Sequence, residues 1–265
     1  MDWDDAYANT AHIPGALEYP PRWTADAAAY RAKAGDRCRR VNYGSGDRQW
    51  ADLFLPSGTP KGLAIFVHGG YWMKLDAGFW SHLAEGALGH GWAIGMPCYT
   101  LCPEARISGI TKEICAAIRM LAAEIDGPIR LSGHSAGGHL VSRQVCRDNG
   151  LGDVAGRIDH VMSISGVHDL RPLLRTEMND TLGLDLDEAR AESPCLLEPV
   201  SGARVTCWVG ADERPEFVRQ NALLANVWSG FDVTTGAVED RGMHHFNVID
   251  ALADPDSQMI AKWLG

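Results

Sequence analysis

The chain has 265 residues, 46% hydrophobic and 22% charged, and a formal net charge of −10 from 24 basic and 34 acidic residues. That length and composition suit one globular α/β domain, residues 1–265, and so acidic a surface argues against nucleic acid or an anionic membrane as a partner. No apolar run approaches the ~20 residues of a membrane span, and the acidic start Met1-Asp2-Trp3-Asp4-Asp5 lacks a signal-peptide pattern, so the cytoplasm is the expected compartment.

Residues 1–36 form an irregular arm broken by Pro14, Pro20 and Pro21, with one short helix expected over 23–34. Trp3, Tyr7, Tyr19 and Trp23 give the arm enough apolar surface to lie on the body. Strands follow at 39–43 and 49–55, and the intervening turn suggests an antiparallel hairpin. The continuous apolar run Gly62-Leu63-Ala64-Ile65-Phe66-Val67 fits a central strand buried on both faces. Then come a helix (79–89), a strand (92–96), a helix (111–124), a strand (129–132), a helix (139–147) and a strand (160–165). An insert to about Pro199 precedes a strand (205–210), a helix (215–228), a strand (231–238) and a terminal helix (255–264). Such alternation implies a mainly parallel sheet with helices on both faces. The seven scattered cysteines contain no C-x-x-C pair, so reduced thiols are expected, with neither a disulfide framework nor a zinc site.

The chemistry centres on Gly133-His134-Ser135-Ala136-Gly137. A Gly-x-Ser-x-Gly between a strand and a helix reads as a nucleophile elbow. The sharp turn lifts Ser135 Oγ above the sheet edge, and the helix N-terminus favours developing negative charge. A serine nucleophile needs a base, a group that orients the base, and donors for the oxyanion. Asp212, just after the strand at 205–210, is the acid candidate, with Asp169 as a rival read as a turn residue. His244 and His245 are the base candidates, on a loop between the last strand and the last helix. His68-Gly69-Gly70-Tyr71-Trp72 follows the buried strand and supplies amides for the oxyanion, together with Ala136 N–H. His68 reads as a structural hydrogen-bonder. Tyr71, Trp72 and Trp80 are candidates to line an apolar pocket, and the insert 171–199 is expected to roof it and keep it small. No metal or cofactor is called for, and no G-x-G-x-x-G opens the first helix after a strand, which sets a dehydrogenase aside.

With these motifs together, the chain resembles the kynurenine formamidase (arylformamidase) branch of the α/β-hydrolases. The resemblance is carried by H-G-G-Y-W, Tyr99-Thr100-Leu101-Cys102-Pro103, G-H-S-A-G-G-H-L, the segment from Ser165 to Leu173, Asn179 to Leu184, and His245-Phe246. It implies an α/β-hydrolase fold of about eight strands and cleavage of N-formyl-L-kynurenine to kynurenine and formate. It implies Ser135 as nucleophile, Asp212 as acid, and His245 rather than His244 as base. It places the oxyanion hole at the amides of Gly70 and Tyr71. The expected partner is a small acyl amide or ester, and a homodimer is left open. Two other readings stand beside this one: a short-chain carboxylesterase, and a catalytically silent binding module on the same fold, which an intact serine, acid and histidine set argues against.

Overall fold

The sheet is built outward from one strand whose side chains all find cover. A computed structural model describes residues 1–265. Its elements, in chain order, are α1 (Trp3–Tyr7), α2 (Asn9–His12), α3 (Tyr19–Ala34), β1 (Cys38–Asn42), β2 (Trp50–Phe54), β3 (Leu63–Val67), α4 (Ala84–Gly89), β4 (Ala93–Pro97) and α5 (Ile107–Glu124). There follow β5 (Ile129–His134), α6 (Ala136–Arg143), β6 (Ile158–Ile164), α7 (Asn179–Leu182), α8 (Leu186–Ala191), β7 (Arg204–Gly210), α9 (Pro215–Trp228), β8 (Thr234–Asp240) and α10 (Gln258–Leu264). The eight strands form one sheet in the order β1-β2-β4-β3-β5-β6-β7-β8. β2 pairs antiparallel with both β1 and β4, and every later pairing is parallel.

Side-chain alternation along β3 explains why it reads as an unbroken apolar run. Leu63, Ile65 and Val67 enter one core, with residues of α5, α6 and α9. Ala64 and Phe66 enter the other, with residues of α3, α4 and α10. A strand covered on both faces has no polar side to show, and each large apolar side chain withdrawn from water contributes about 1.5–3 kcal/mol.

This division of helices places the functional cleft. β3 and β5 are neighbours in register from Leu63↔Ile129 to Val67↔Gly133. The chain leaves β3 for α4 on one face and leaves β5 for α6 on the other. Connections that diverge from adjacent parallel strands open a crevice at their carboxyl ends. The oxyanion-type loop after Val67 and the elbow after His134 meet there.

Several boundaries differ from expectation for local reasons. The helix expected over 79–89 is helical only from Ala84, and two short 3-10 turns (Ala77–Phe79, Ser81–Leu83) replace its first half. Asp76 caps the first by accepting from Gly78 N–H at 2.7 Å. α5 starts a turn earlier than expected because the carboxylate of Glu188, from the insert, accepts from Ser108 N–H at 3.1 Å. The arm is more helical than expected: α3 begins at Tyr19, with prolines in its first turn where no amide is missed. All seven cysteines are free, six of them buried and Cys38 half-buried. No helix is long and apolar enough to cross a membrane.

Candidate active site

The backbone at Ser135 is held at φ 55° and ψ −116°, a conformation that side-chain-bearing residues rarely adopt. Three glycines make the turn feasible. A Cβ on Gly133 would lie 2.2 Å from Gly137 O, and one on Gly137 would lie 1.9 Å from Val67 O. A Cβ on Gly69 would lie 2.8 Å from His134 O and 3.0 Å from Ser135 Cβ. The turn is pinned by Ser135 N–H donating to Ile164 O at 2.8 Å.

The loop after β3 is equally constrained. Gly70, Tyr71 and Trp72 have φ of 115°, 53° and 58°. Met73 and Lys74 amides close back on Gly70 O at 3.0 and 2.9 Å. The amides of Gly70, Tyr71 and Ala136 donate to no acceptor in the protein. Amides left free beside the elbow can serve a ligand oxygen. His68 is structural, as expected: it is buried, stacks on Tyr99 with ring centroids 4.2 Å apart, and bonds Gly69 O at 2.7 Å. Burial lowers its pKa to about 4.

The acid is where expectation and structure part. His245 Nδ1–H donates to Glu213 Oε2 at 2.6 Å, with both side chains almost wholly buried. Asp212 is exposed and does not bond the imidazole. The cause is the turn after β7. Glu213 N–H donates back to Gly210 O at 3.2 Å, which puts Asp212 at the outer corner and returns Glu213 over the strand end. Glu213 Oε1 also accepts from Gly210 N–H at 2.9 Å and Ser165 Oγ–H at 2.5 Å. Three donors therefore fix this carboxylate. Gly210-Ala211-Asp212-Glu213 held the signal, since the fourth residue of a tight turn faces back toward the first.

His244 and His245 separate cleanly. His244 Nδ1 accepts from the amides of Phe246 and Asn247 at 3.2 and 3.4 Å, and its Nε2–H donates to Tyr19 Oη at 3.1 Å. Every polar atom of that ring is committed to holding the loop and the arm. His245 spends only Nδ1. The neighbouring His134 ring lies 4.6 Å from His245 between centroids, and burial, then charge on His245, hold His134 neutral.

Ser135, His134 and His245 line one cleft of about 680 Å³, part of it open to solvent. Gly69, Gly70 and Tyr71 form its floor loop, and Trp80 lines it as expected. Trp72 does not. It is fully buried in the core on the α6 side, edge-on to His139 at 5.2 Å. Tyr71 and Trp72 share a positive φ, 53° and 58°, and of the two only Tyr71 lines the cleft. The insert does not roof the cleft either, since none of residues 171–199 lines it. The arm does so instead, through Thr10, Pro20 and Trp23. Tyr71 Oη–H donates to Tyr7 O at 2.5 Å and accepts from Asn9 Nδ2–H at 2.8 Å, which ties the arm to the loop. Asp169, the rival acid, is an ordinary structural group paired with Arg171 at 2.8 Å.

Comparison with known proteins bears on the family and the fold. The profile of the alpha/beta hydrolase fold family matches residues 64–245. Kynurenine formamidase from Salmo salar is 28% identical over 240 residues, covering 85% of this chain and 81% of the relative. The Danio rerio kynurenine formamidase is 26% identical over 273 residues, covering 93% and 92%. A crystal structure from Silicibacter sp. TM1040, described as a candidate thioesterase, superimposes with a TM-score of 0.96 at 52% identity over the whole of both chains. An esterase from Pyrobaculum calidifontis shares the fold, with a TM-score of 0.74 at 16% identity over 93% of this chain and 91% of that one.

Proposed function

The chain belongs to the alpha/beta hydrolase fold family, and from that premise we propose a serine hydrolase that removes a small acyl group, formyl foremost, from an aryl amide or ester. The observation that carries this reading is the buried Glu213–His245 pair, whose imidazole lines the same cleft as a strained Ser135. The kynurenine formamidase relatives support N-formyl-L-kynurenine as the substrate.

In this mechanism His245 Nε2 takes the proton of Ser135 Oγ as the oxygen attacks the acyl carbon. Glu213 keeps the proton on Nδ1 and stabilises the imidazolium. The tetrahedral oxyanion meets the amides of Gly70, Tyr71 and Ala136, each worth about 3 kcal/mol of barrier in comparable sites. The imidazolium then returns its proton to the departing arylamine nitrogen as the C–N bond breaks. Water attacks the formyl-serine ester by the same route, and formate leaves. His134, kept neutral, adds no competing positive charge beside His245.

A fluorophosphonate probe should label Ser135, and Ser135→Ala should lower kcat by at least about a thousandfold. Glu213→Gln should cost about a hundredfold or more, whereas Asp212→Asn should stay within twofold. Retained turnover in Ser135→Ala would overturn the mechanism, and an unlabelled protein would turn the reading to a binding module. The 52% identical protein described as a candidate thioesterase favours a second reading with the same residues. Relative kcat/KM on N-formylkynurenine, acetyl and butyryl esters and acyl thioesters separates the two, and also separates both from a general short-chain carboxylesterase.

A further inference from the structure

The cleft carries a charge pattern that none of these chemistries requires. Of its thirteen lining residues, Lys74 alone bears a fixed charge. The walls around it are apolar and aromatic. Trp23 and Trp80 pack with centroids 4.5 Å apart, and Phe246 lies 5.5 Å from Trp23. The chain as a whole is strongly acidic, at −10, so a solitary cation at this mouth runs against the background.

Lys74 is placed by the same tight turn that shapes the oxyanion-type loop. Its amide donates to Gly70 O at 2.9 Å, and a Cβ on Gly70 would lie 2.2 Å from Lys74 O. The next carbonyl, Leu75 O, accepts from Arg48 Nη2–H at 2.6 Å. Lys74 is exposed and joins no ion pair. Other cations near the arm are committed: Arg22 to Asp250 at 3.1 Å, and Arg214 to Asp5. An unpaired lysine among the lining residues of an aromatic cleft is suited to a flat substrate that carries an anion at one end.

We propose that Lys74 is a specificity residue that recognises an anionic group, carboxylate or phosphate, on the leaving-group side of an aryl substrate lodged against Trp23, Trp80 and Phe246. This rests on Ser135 being the nucleophile of the cleft. It adds a charge requirement that hydrolase chemistry by itself does not impose.

The test compares formanilide with the three ring isomers of formamidobenzoate, and with the three ring isomers of formamidophenyl phosphate as a phosphate-bearing arm. The wild type should favour the best-fitting anionic member of a pair by about three- to tenfold in kcat/KM, chiefly through KM, and the preference should shrink in high salt. Lys74→Met should abolish the preference, Lys74→Glu should invert it, and Lys74→Arg should restore it. A Lys74-dependent preference for the benzoates assigns the anion to carboxylate, and one for the aryl phosphates assigns it to phosphate. A preference that survives in Lys74→Glu, or no preference in the wild type, overturns the inference. Fluorophosphonate labelling of Ser135 in every variant keeps that failure distinct. Labelled protein without charge preference removes the role of Lys74 alone, and unlabelled wild type removes the hydrolase reading and this inference with it.

Discussion

The N-terminal arm and the insert between β6 and β7 both stand outside the strand–helix alternation, and they serve Ser135 from opposite sides. The arm faces the cleft. Thr10, Pro20 and Trp23 line it, and Tyr7 and Asn9 grip the phenol of Tyr71. The insert faces the back of the elbow helix. Its Glu192 O accepts from His139 Nε2–H of α6 at 2.7 Å, and its Glu192 carboxylate takes Thr111 Oγ1–H at 2.7 Å and Arg143 Nε–H at 3.2 Å. Arg106 binds Glu188 and Asp185, clamping the insert to the start of α5. One segment shapes what Ser135 meets, and the other braces what Ser135 stands on. Length and position in sequence suggested the reverse assignment for the roof, because a loop inserted near the strand ends is the usual place to look for one.

The contrast predicts different signatures for damage on the two sides. Trp23 is 3% exposed and packs on Trp80 and Phe246. Trp23→Ala should cost about 3–5 kcal/mol of stability and raise KM as well, read by denaturant unfolding beside kinetics. On the insert, Glu192→Ala removes one of the two carboxylates on a buried guanidinium, leaving Asp148, together with the partner of a buried hydroxyl. It should cost about 1.5–3 kcal/mol with KM little changed at temperatures where the protein stays folded. Equal effects of the two variants on KM would dissolve the distinction.

Acid should probe the insert side next. Burial lowers the pKa of His139 to about 3 and that of His168, just ahead of the insert, also to about 3. Both stay neutral in the folded chain, whereas the unfolded chain protonates them below about pH 6.5. Their stabilisation is complete above that pH and is lost progressively as pH falls from about 6.5 toward 3, by up to about 1.4 kcal/mol per pH unit for each. His139→Gln should flatten the fall of Tm between pH 6.5 and 4, and an unchanged slope would contradict the assignment. The smallest effect belongs to the arm's outer latch. Tyr19→Phe removes the contact to His244 and should cost about 1 kcal/mol, with kcat lowered a few-fold if His244 holds its neighbour in place.

What could be read from residue order was whatever short-range pattern decides. The run Leu63–Val67 names its own strand, and the glycines around Ser135 name the turn, because no Cβ fits at Gly133 or Gly137. Helix 215–228 was legible to its ends, where proline opens it. What escaped depended on direction after a turn or on a distant partner. Asp212 and Glu213 are neighbours of like chemistry, and only the closure of Glu213 N–H on Gly210 O decides which looks inward. Trp72 and Trp80 are equal as letters, yet one is buried against His139 on the α6 side while the other packs on Trp23 and lines the cleft. The early start of α5 was hidden for the same reason, since its capping carboxylate lies eighty residues away at Glu188.

Tyr71 belongs to two bodies at once: its amide lies in the loop beside Ser135, and its phenol is held by the first ten residues. Such sharing makes occupancy and order interdependent. An inhibitor that seats an oxygen on that amide should slow proteolytic trimming of the N-terminus, and trimming should in turn loosen the inhibitor. The opening residues would then behave as a sensor of whether the Gly70–Tyr71 loop is engaged.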